Sequence, residues 1–522
     1  MDFGYKLKSL THLLSANGLF SGWASAGSEQ HLKCAALKDT LRIENTTIVD
    51  ATFLAAGSRV KFRNVCPEQS STKLYAPTSL CRVQFVTQTS ESSGIRAEAW
   101  LPEEWYGRFL GVGNGGLGGC IAYNDLAYGS SFHFASVGSN NGHDGNSGEV
   151  FLNNPEVIED FAHRSIHVEA VVGKQIVEAY YGQQHQKSYY LGCSTGGRQG
   201  TQEALKYPAD FDGILAGAPA IDFNHLLHWI GMLARHAGAP DPTSPAFLSA
   251  SEWTLVSEEI LKQCDMLDGV KDGIITEPDT CLFRPETLVC RPGQIDDCLF
   301  PAQIEALRKI YSPLYADGEL IFPRFDPGAE LTYRQFLWGG QFPEYPRDWL
   351  QYAVANTTKI DFGTYGPEDG KRMDAVNPGG IATFSGDFAA FRDRGGKFLT
   401  YHGRMDALIA SGNSKRMYDL VSTTLSMPTL DSFYRLFLVP GLAHCTEGLG
   451  SPNFGQRGNT VTTAVNASSH NILLALVDWV ENGNAPDEIV GTSHDGQAER
   501  IHCRYPLRSV RNAEQTEWIC VV

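Results

Sequence analysis

The sequence predicts an α/β protein, with a parallel sheet covered by helices on both faces and split by a large insert. Three observations carry this. Short apolar strands alternate with helical stretches as far as Ala220. The alternation then lapses and resumes at Lys397. Glycine-rich turns directly follow two of the apolar strands, at Asn114-Gly115-Gly116 and at Gly192-Cys193-Ser194-Thr195-Gly196.

Taken in order, residues 34–90 are expected to form short strands. Residues 108–113 are an apolar strand entering the glycine-rich turn, and residues 134–138 a second buried strand. Residues 157–180 have the apolar spacing of a helix. Residues 188–191 read as a strand, 197–206 as a helix and 213–217 as a strand. From Asp222 to Arg394 the chain is rich in Pro, Trp, Tyr and nearby cysteines, without a strand–helix rhythm. Strands return at 397–403 and 433–439, and a helix at 472–479. The expected division is a main domain of residues 27–221 and 395–522, carrying an inserted lid of residues 222–394.

Composition excludes several partners. The chain is 42% hydrophobic and 19% charged, ordinary for a globular protein. It contains no apolar run of the length that spans a membrane as a helix. Its formal net charge of −17 opposes nucleic acid or an anionic membrane as the main partner, since both attract basic proteins. Twelve cysteines without a C-x-x-C pair read as a disulfide framework, hence an oxidising compartment. The sequons at Asn45, Asn356 and Asn466 agree with secretion. Residues 1–26 form a weak leader-like segment. Lys6 and Lys8 precede Leu10, Leu13 and Leu14, and Ala24-Ser25-Ala26 resembles a cleavage site, but polar residues interrupt the apolar stretch.

The chemistry centres on Ser194. Gly192-Cys193-Ser194-Thr195-Gly196 fits G-x-S-x-G between an apolar strand and a helix, the setting of a nucleophile elbow. A serine hydroxyl needs a base, and an acid orients that base. Two later strands end near the right residue types, placing Asp406 and His444 in successive strand-end loops, where groups collect in open parallel sheets. Cys193 precedes Ser194 and Cys445 follows His444, so a bond between them would tie nucleophile to base. The oxyanion hole is expected from the Thr195 N–H together with Gly115 or Gly116.

These residues resemble the tannase and fungal feruloyl esterase family, over residues 34–520. The elbow with its adjoining Cys193, the acid Asp406 and the pair His444-Cys445 carry the resemblance. It implies an α/β-hydrolase fold with an inserted lid, and ester hydrolysis. It also implies a structural calcium held by Asp265, Asp268 and Asp272 side chains and Val270 and Ile274 carbonyls. Read alone, those aspartates suit a solvated acidic turn better than a calcium loop, since their spacing departs from the EF-hand pattern. The implied disulfides are Cys34–Cys81, Cys66–Cys120, Cys264–Cys281, Cys290–Cys298 and Cys503–Cys520, besides Cys193–Cys445. Residues 113–120 and 138–145 look more like feruloyl esterases than tannases.

The expectation is therefore a secreted, extracellular serine esterase acting on phenolic, chiefly hydroxycinnamic, esters, including those attached to plant cell-wall polysaccharide. Gallate ester hydrolysis is the near alternative, and a non-catalytic binding protein on the same fold the distant one. Phe223, Trp229, Phe336, Trp338, Phe342, Tyr345 and Trp349 stock the insert with aromatic rings, most of them expected to form the lid's own core.

Overall fold

The computed structural model describes residues 19–62, 66, 73–458, 460, 464–512, 514 and 516–522. Residues 1–18, most of the leader-like segment, lie outside them. Fifteen strands are named here in chain order: β1 Thr46–Leu54, β2 Leu80–Gln88, β3 Gly94–Pro102, β4 Arg108–Val112, β5 Ala135–Ser139, β6 Lys187–Cys193, β7 Gly213–Gly217, β8 Leu314–Ala316, β9 Glu319–Phe322, β10 Lys397–Gly403, β11 Tyr434–Val439, β12 Glu488–Thr492, β13 Glu499–Cys503, β14 Arg508–Arg511 and β15 Trp518–Val521.

Nine of these form one sheet in the order β1-β2-β3-β5-β4-β6-β7-β10-β11. The pairs from β5 through β11 are parallel, while β1, β2, β3 and β5 pair antiparallel. Parallel neighbours need crossovers, and helices supply them: Ser165–Tyr181 precedes β6, Thr195–Lys206 joins β6 to β7, and Gly412–Thr424 joins β10 to β11. Enclosure on both faces explains why β6, β7 and β10 are buried almost throughout rather than alternating. Ile166, Ala170 and Ile176 pack with Phe109, Val137 and Ile214 in one core cluster. Leu126, Leu473 and Leu476 pack with Leu110, Leu191 and Leu215 in another.

The chain leaves the sheet after β7 and returns at β10, and the segment between builds its own core around Trp229, Trp253, Leu307, Trp338 and Trp349. Its only strands among the described residues are the hairpin β8–β9. Near its end, Phe388 and Phe391 already pack with Phe398 of the sheet. The loop after β10 joins the insert instead: Ala407, Leu408, Ile409 and Ala410 belong to the insert's cluster.

One sequence expectation fails. Residues 34–40 do not begin a run of strands; they end the helix Leu19–Thr40. Ala35, Ala36, Leu37 and Lys38 are good helix formers with no two-residue alternation, and the cysteine at 34 says nothing about backbone period. That cysteine still pairs with Cys81 on β2. The other five bonds are Cys66–Cys120, Cys193–Cys445, Cys264–Cys281, Cys290–Cys298 and Cys503–Cys520, so all twelve cysteines pair as expected.

Candidate active site

Ser194 sits between β6 and the helix Thr195–Lys206 with φ 65° and ψ −121°, a conformation that costs a non-glycine residue on the order of 1–3 kcal/mol. Neighbouring backbone holds it there. Its N–H donates to the Gly217 carbonyl, and its own carbonyl accepts from Arg198 and Ala220, each at 3.0 Å. The flanking glycines are steric necessities. A Cβ on Gly192 would lie 2.6 Å from the Gly196 carbonyl carbon, and one on Gly196 would lie 2.9 Å from the Asn114 oxygen.

Parallel register brings the partners to the same edge of the sheet. Cys193 pairs with Gly217, Gly217 with Tyr401, and Gly403 with Val439, so the loops after β6, β10 and β11 leave side by side. In those loops His444 Nδ1 lies 2.7 Å from Asp406 Oδ2. Asp406 is fully buried, and its Oδ1 accepts from the backbone N–H groups of Leu408 (2.8 Å) and Ile409 (3.0 Å). Burial alone would raise its pKa. The charge of His444 and hydrogen bonds from His402 and His444 outweigh burial and hold it well below the usual carboxylate range. An ionised carboxylate at Nδ1 calls for a hydrogen on that nitrogen, which leaves Nε2 free to act as a base. The Cys193–Cys445 bond, spanning 252 residues, couples the serine and histidine loops covalently.

The glycine-rich turn is pinned to the same helix. Thr195 Oγ1 donates to the Gly116 carbonyl (2.6 Å). Gln199 bonds Asn114 twice, accepting from its N–H (2.9 Å) and donating to its Oδ1 (3.0 Å). Ser194, Thr195 and Gly116 line one cavity, while the space beside Gly115 is open. Leu117, Ala220, Phe223, Leu226, Leu227, Ile230, Leu408 and Ile409 make the rest of its wall apolar, except for Tyr345. Of the insert's aromatics, Phe223 and Tyr345 reach this cavity; Trp229, Trp338, Phe342 and Trp349 are buried in the insert's core, and Phe336 packs against it.

Two neighbours of the site were not anticipated from the sequence. His402, four residues before Asp406, places Nε2 3.3 Å from Asp406 Oδ2, and its position at a strand end was the available signal. Tyr333 of the insert sets its ring edge-on to His444 at 5.9 Å, and nothing local in the sequence marked it. The acidic loop lies elsewhere, closed by Cys264–Cys281. Within it, Asp265 accepts from the Gly273 N–H (3.0 Å), Asp268 from Val270 (2.9 Å) and Asp272 from Ile274 (3.0 Å).

A strained serine elbow after one parallel strand, with an aspartate and a histidine in strand-end loops beyond, defines an α/β-hydrolase of the esterase class. The family described as "Tannase and feruloyl esterase" matches residues 81–517, and the chain belongs to it as a carboxylic ester hydrolase. A probable feruloyl esterase B of Aspergillus clavatus is 43% identical over 505 residues, covering 94% of this chain and 95% of that protein. An esterase from Aspergillus oryzae has a crystal structure that superposes with a TM-score of 0.91 at 41% identity. Feruloyl esterase B from Aspergillus oryzae superposes equally well, with a TM-score of 0.91 at 39% identity. Each covers 94% of this chain and 100% of its own.

Proposed function

We propose that the chain is a secreted feruloyl esterase that hydrolyses hydroxycinnamic esters, including those carried on plant cell-wall polysaccharide, with Ser194, Asp406 and His444 as its catalytic residues. The observation that carries the reading is the pocket beside Ser194, whose wall is apolar along most of its length, as an aromatic acyl group calls for. The feruloyl esterase names of its relatives agree with it.

In this mechanism His444 Nε2 takes the Ser194 proton as Oγ attacks the ester carbonyl. Asp406 keeps the imidazole oriented and supports its positive charge. The carbonyl oxygen becomes an oxyanion, met by the Thr195 N–H and by an N–H of the turn at Gly115 or Gly116. His444 then protonates the leaving alcohol. Water repeats the sequence on the acyl-enzyme and frees the acid.

The wall also argues against gallate as the preferred acyl group. Three ring hydroxyls carried among Leu226, Leu227 and Ile230 would lose water without gaining partners. Initial rates with methyl ferulate, p-coumarate, caffeate and gallate test this. The expected kcat/KM for ferulate exceeds that for gallate by about tenfold or more; equal or better turnover of gallate would overturn the assignment.

Secretion is supported by the six disulfides and by exposure of all three sequon asparagines. No helix among the described residues is long and apolar enough to cross a membrane. We also propose that Asp265, Asp268 and Asp272, with the Val270 and Ile274 carbonyls, hold a structural calcium. The donor set is all oxygen and lies on one curled loop, as a hard cation requires. Among the described residues, the group of metal-ligand atoms within 4.8 Å of one another is His167, Glu203 and Asp210, so the three aspartates do not meet that spacing. A bound calcium would supply the charge that draws them together and would take no part in the ester chemistry.

A further inference from the structure

His402 is wholly buried, at the penultimate position of β10, and lies outside the Ser194–Asp406–His444 set. We propose that it is a positioning residue for that set, a fixed N–H donor to the Asp406 carboxylate. The inference rests on the esterase reading above.

The ring's surroundings determine where its hydrogen sits. Nε2 lies 3.0 Å from the Ile409 carbonyl oxygen and 3.3 Å from Asp406 Oδ2. A carbonyl can only accept, and so can an ionised carboxylate, so Nε2 carries a hydrogen. Nδ1 lies 2.7 Å from Ser414 Oγ on the helix Gly412–Thr424, and that hydroxyl can donate to it. The neutral Nε2–H tautomer thus satisfies both nitrogens.

The consequence falls on Asp406. Its Oδ1 receives two backbone N–H groups and its Oδ2 receives Nδ1–H of His444, while the one Nε2–H of His402, donated to the Ile409 carbonyl at 3.0 Å, also faces Oδ2 at 3.3 Å. Three N–H donors and a fourth shared with the Ile409 carbonyl fix the plane in which the carboxylate meets His444. Ile409 closes the arrangement: its N–H donates to Asp406 and its carbonyl accepts from His402. A histidine that merely satisfied its own polar atoms would need Ile409 and Ser414 alone. The contact with the oxygen that also serves His444 is the additional observation.

Because His402 acts through Asp406, its loss should slow the chemical step more than substrate binding. The test measures kcat and KM for methyl ferulate, with thermal melting, in His402→Leu, His402→Gln, Ser414→Ala and Ser194→Ala. Expected are a fall in kcat of about tenfold or more for His402→Leu with KM within about twofold, and substantial recovery in His402→Gln, whose amide can place an N–H near the position of Nε2. A folded His402→Leu enzyme with wild-type kcat would overturn the proposal. So would equal losses in the Leu and Gln variants with KM rising in step. If His402→Leu does not fold, Ser414→Ala decides: a fall in kcat of about threefold at constant KM supports the role, and unchanged kcat refutes it. Activity retained in Ser194→Ala would instead bring down the esterase reading beneath it.

Discussion

At the scale of single residues, burial acts on acids in opposite directions according to what surrounds them. Asp406 is enclosed yet ionised, because N–H donors and His444 meet it. Glu169 and Glu203 are enclosed with no charged partner strong enough to offset burial, which pushes both carboxyls well above the usual range; for Glu203 the nearby Asp210 adds to the effect. A raised folded pKa gives stability that is complete below the unfolded value near 4.5 and is lost as pH rises toward the folded value. Glu169→Gln should therefore flatten the decline of melting temperature above about pH 5 relative to wild type. Parallel melting curves across that range would contradict this. The same contrast explains what was legible in the sequence. Ser194, Asp406 and His444 sit in local patterns of strand end and turn, whereas Tyr333 acts only through a residue distant in the chain.

At the scale of elements, the loop after β10 is held as much by the insert as by the sheet. Arg404 donates to Ser411 Oγ and to Asp279 of the insert, both at 2.7 Å. Ser411 N–H donates to Asp326 (3.0 Å), and Thr332 Oγ1 to the Met405 carbonyl (3.2 Å). Asp279 lies just before Cys281, whose bond to Cys264 closes the acidic loop, so order in that loop reaches the segment carrying Asp406. Removal of the proposed calcium should accordingly lower both melting temperature and kcat. An ion present at about a hundred times its dissociation constant contributes about 2.7 kcal/mol. Metal analysis with melting curves before and after chelation checks this; a metal-free protein with unchanged melting temperature would contradict it. The buried parallel strands were legible because enclosure on both faces forces continuous apolar runs. Residues 34–40 are helical rather than the start of the strands, because Ala35 to Lys38 are good helix formers without two-residue alternation.

At the scale of the whole molecule, a nine-stranded sheet, an insert with its own core and six disulfides form one esterase scaffold. The insert's internal arrangement was the least legible part. Its core is assembled from Trp229, Trp253, Trp338 and Trp349, residues far apart in sequence, and no local period announces which rings turn toward the cavity. The net charge of −17 fits a neutral or polymer-borne ester better than a polyanion. The proposed role of Ser194 is to attack the ester carbonyl in that cavity. Turnover of methyl ferulate by Ser194→Ala tests it most directly: the predicted result is a folded protein whose kcat falls by about 10³-fold or more, to near background. A folded Ser194→Ala protein with turnover close to wild type would contradict it.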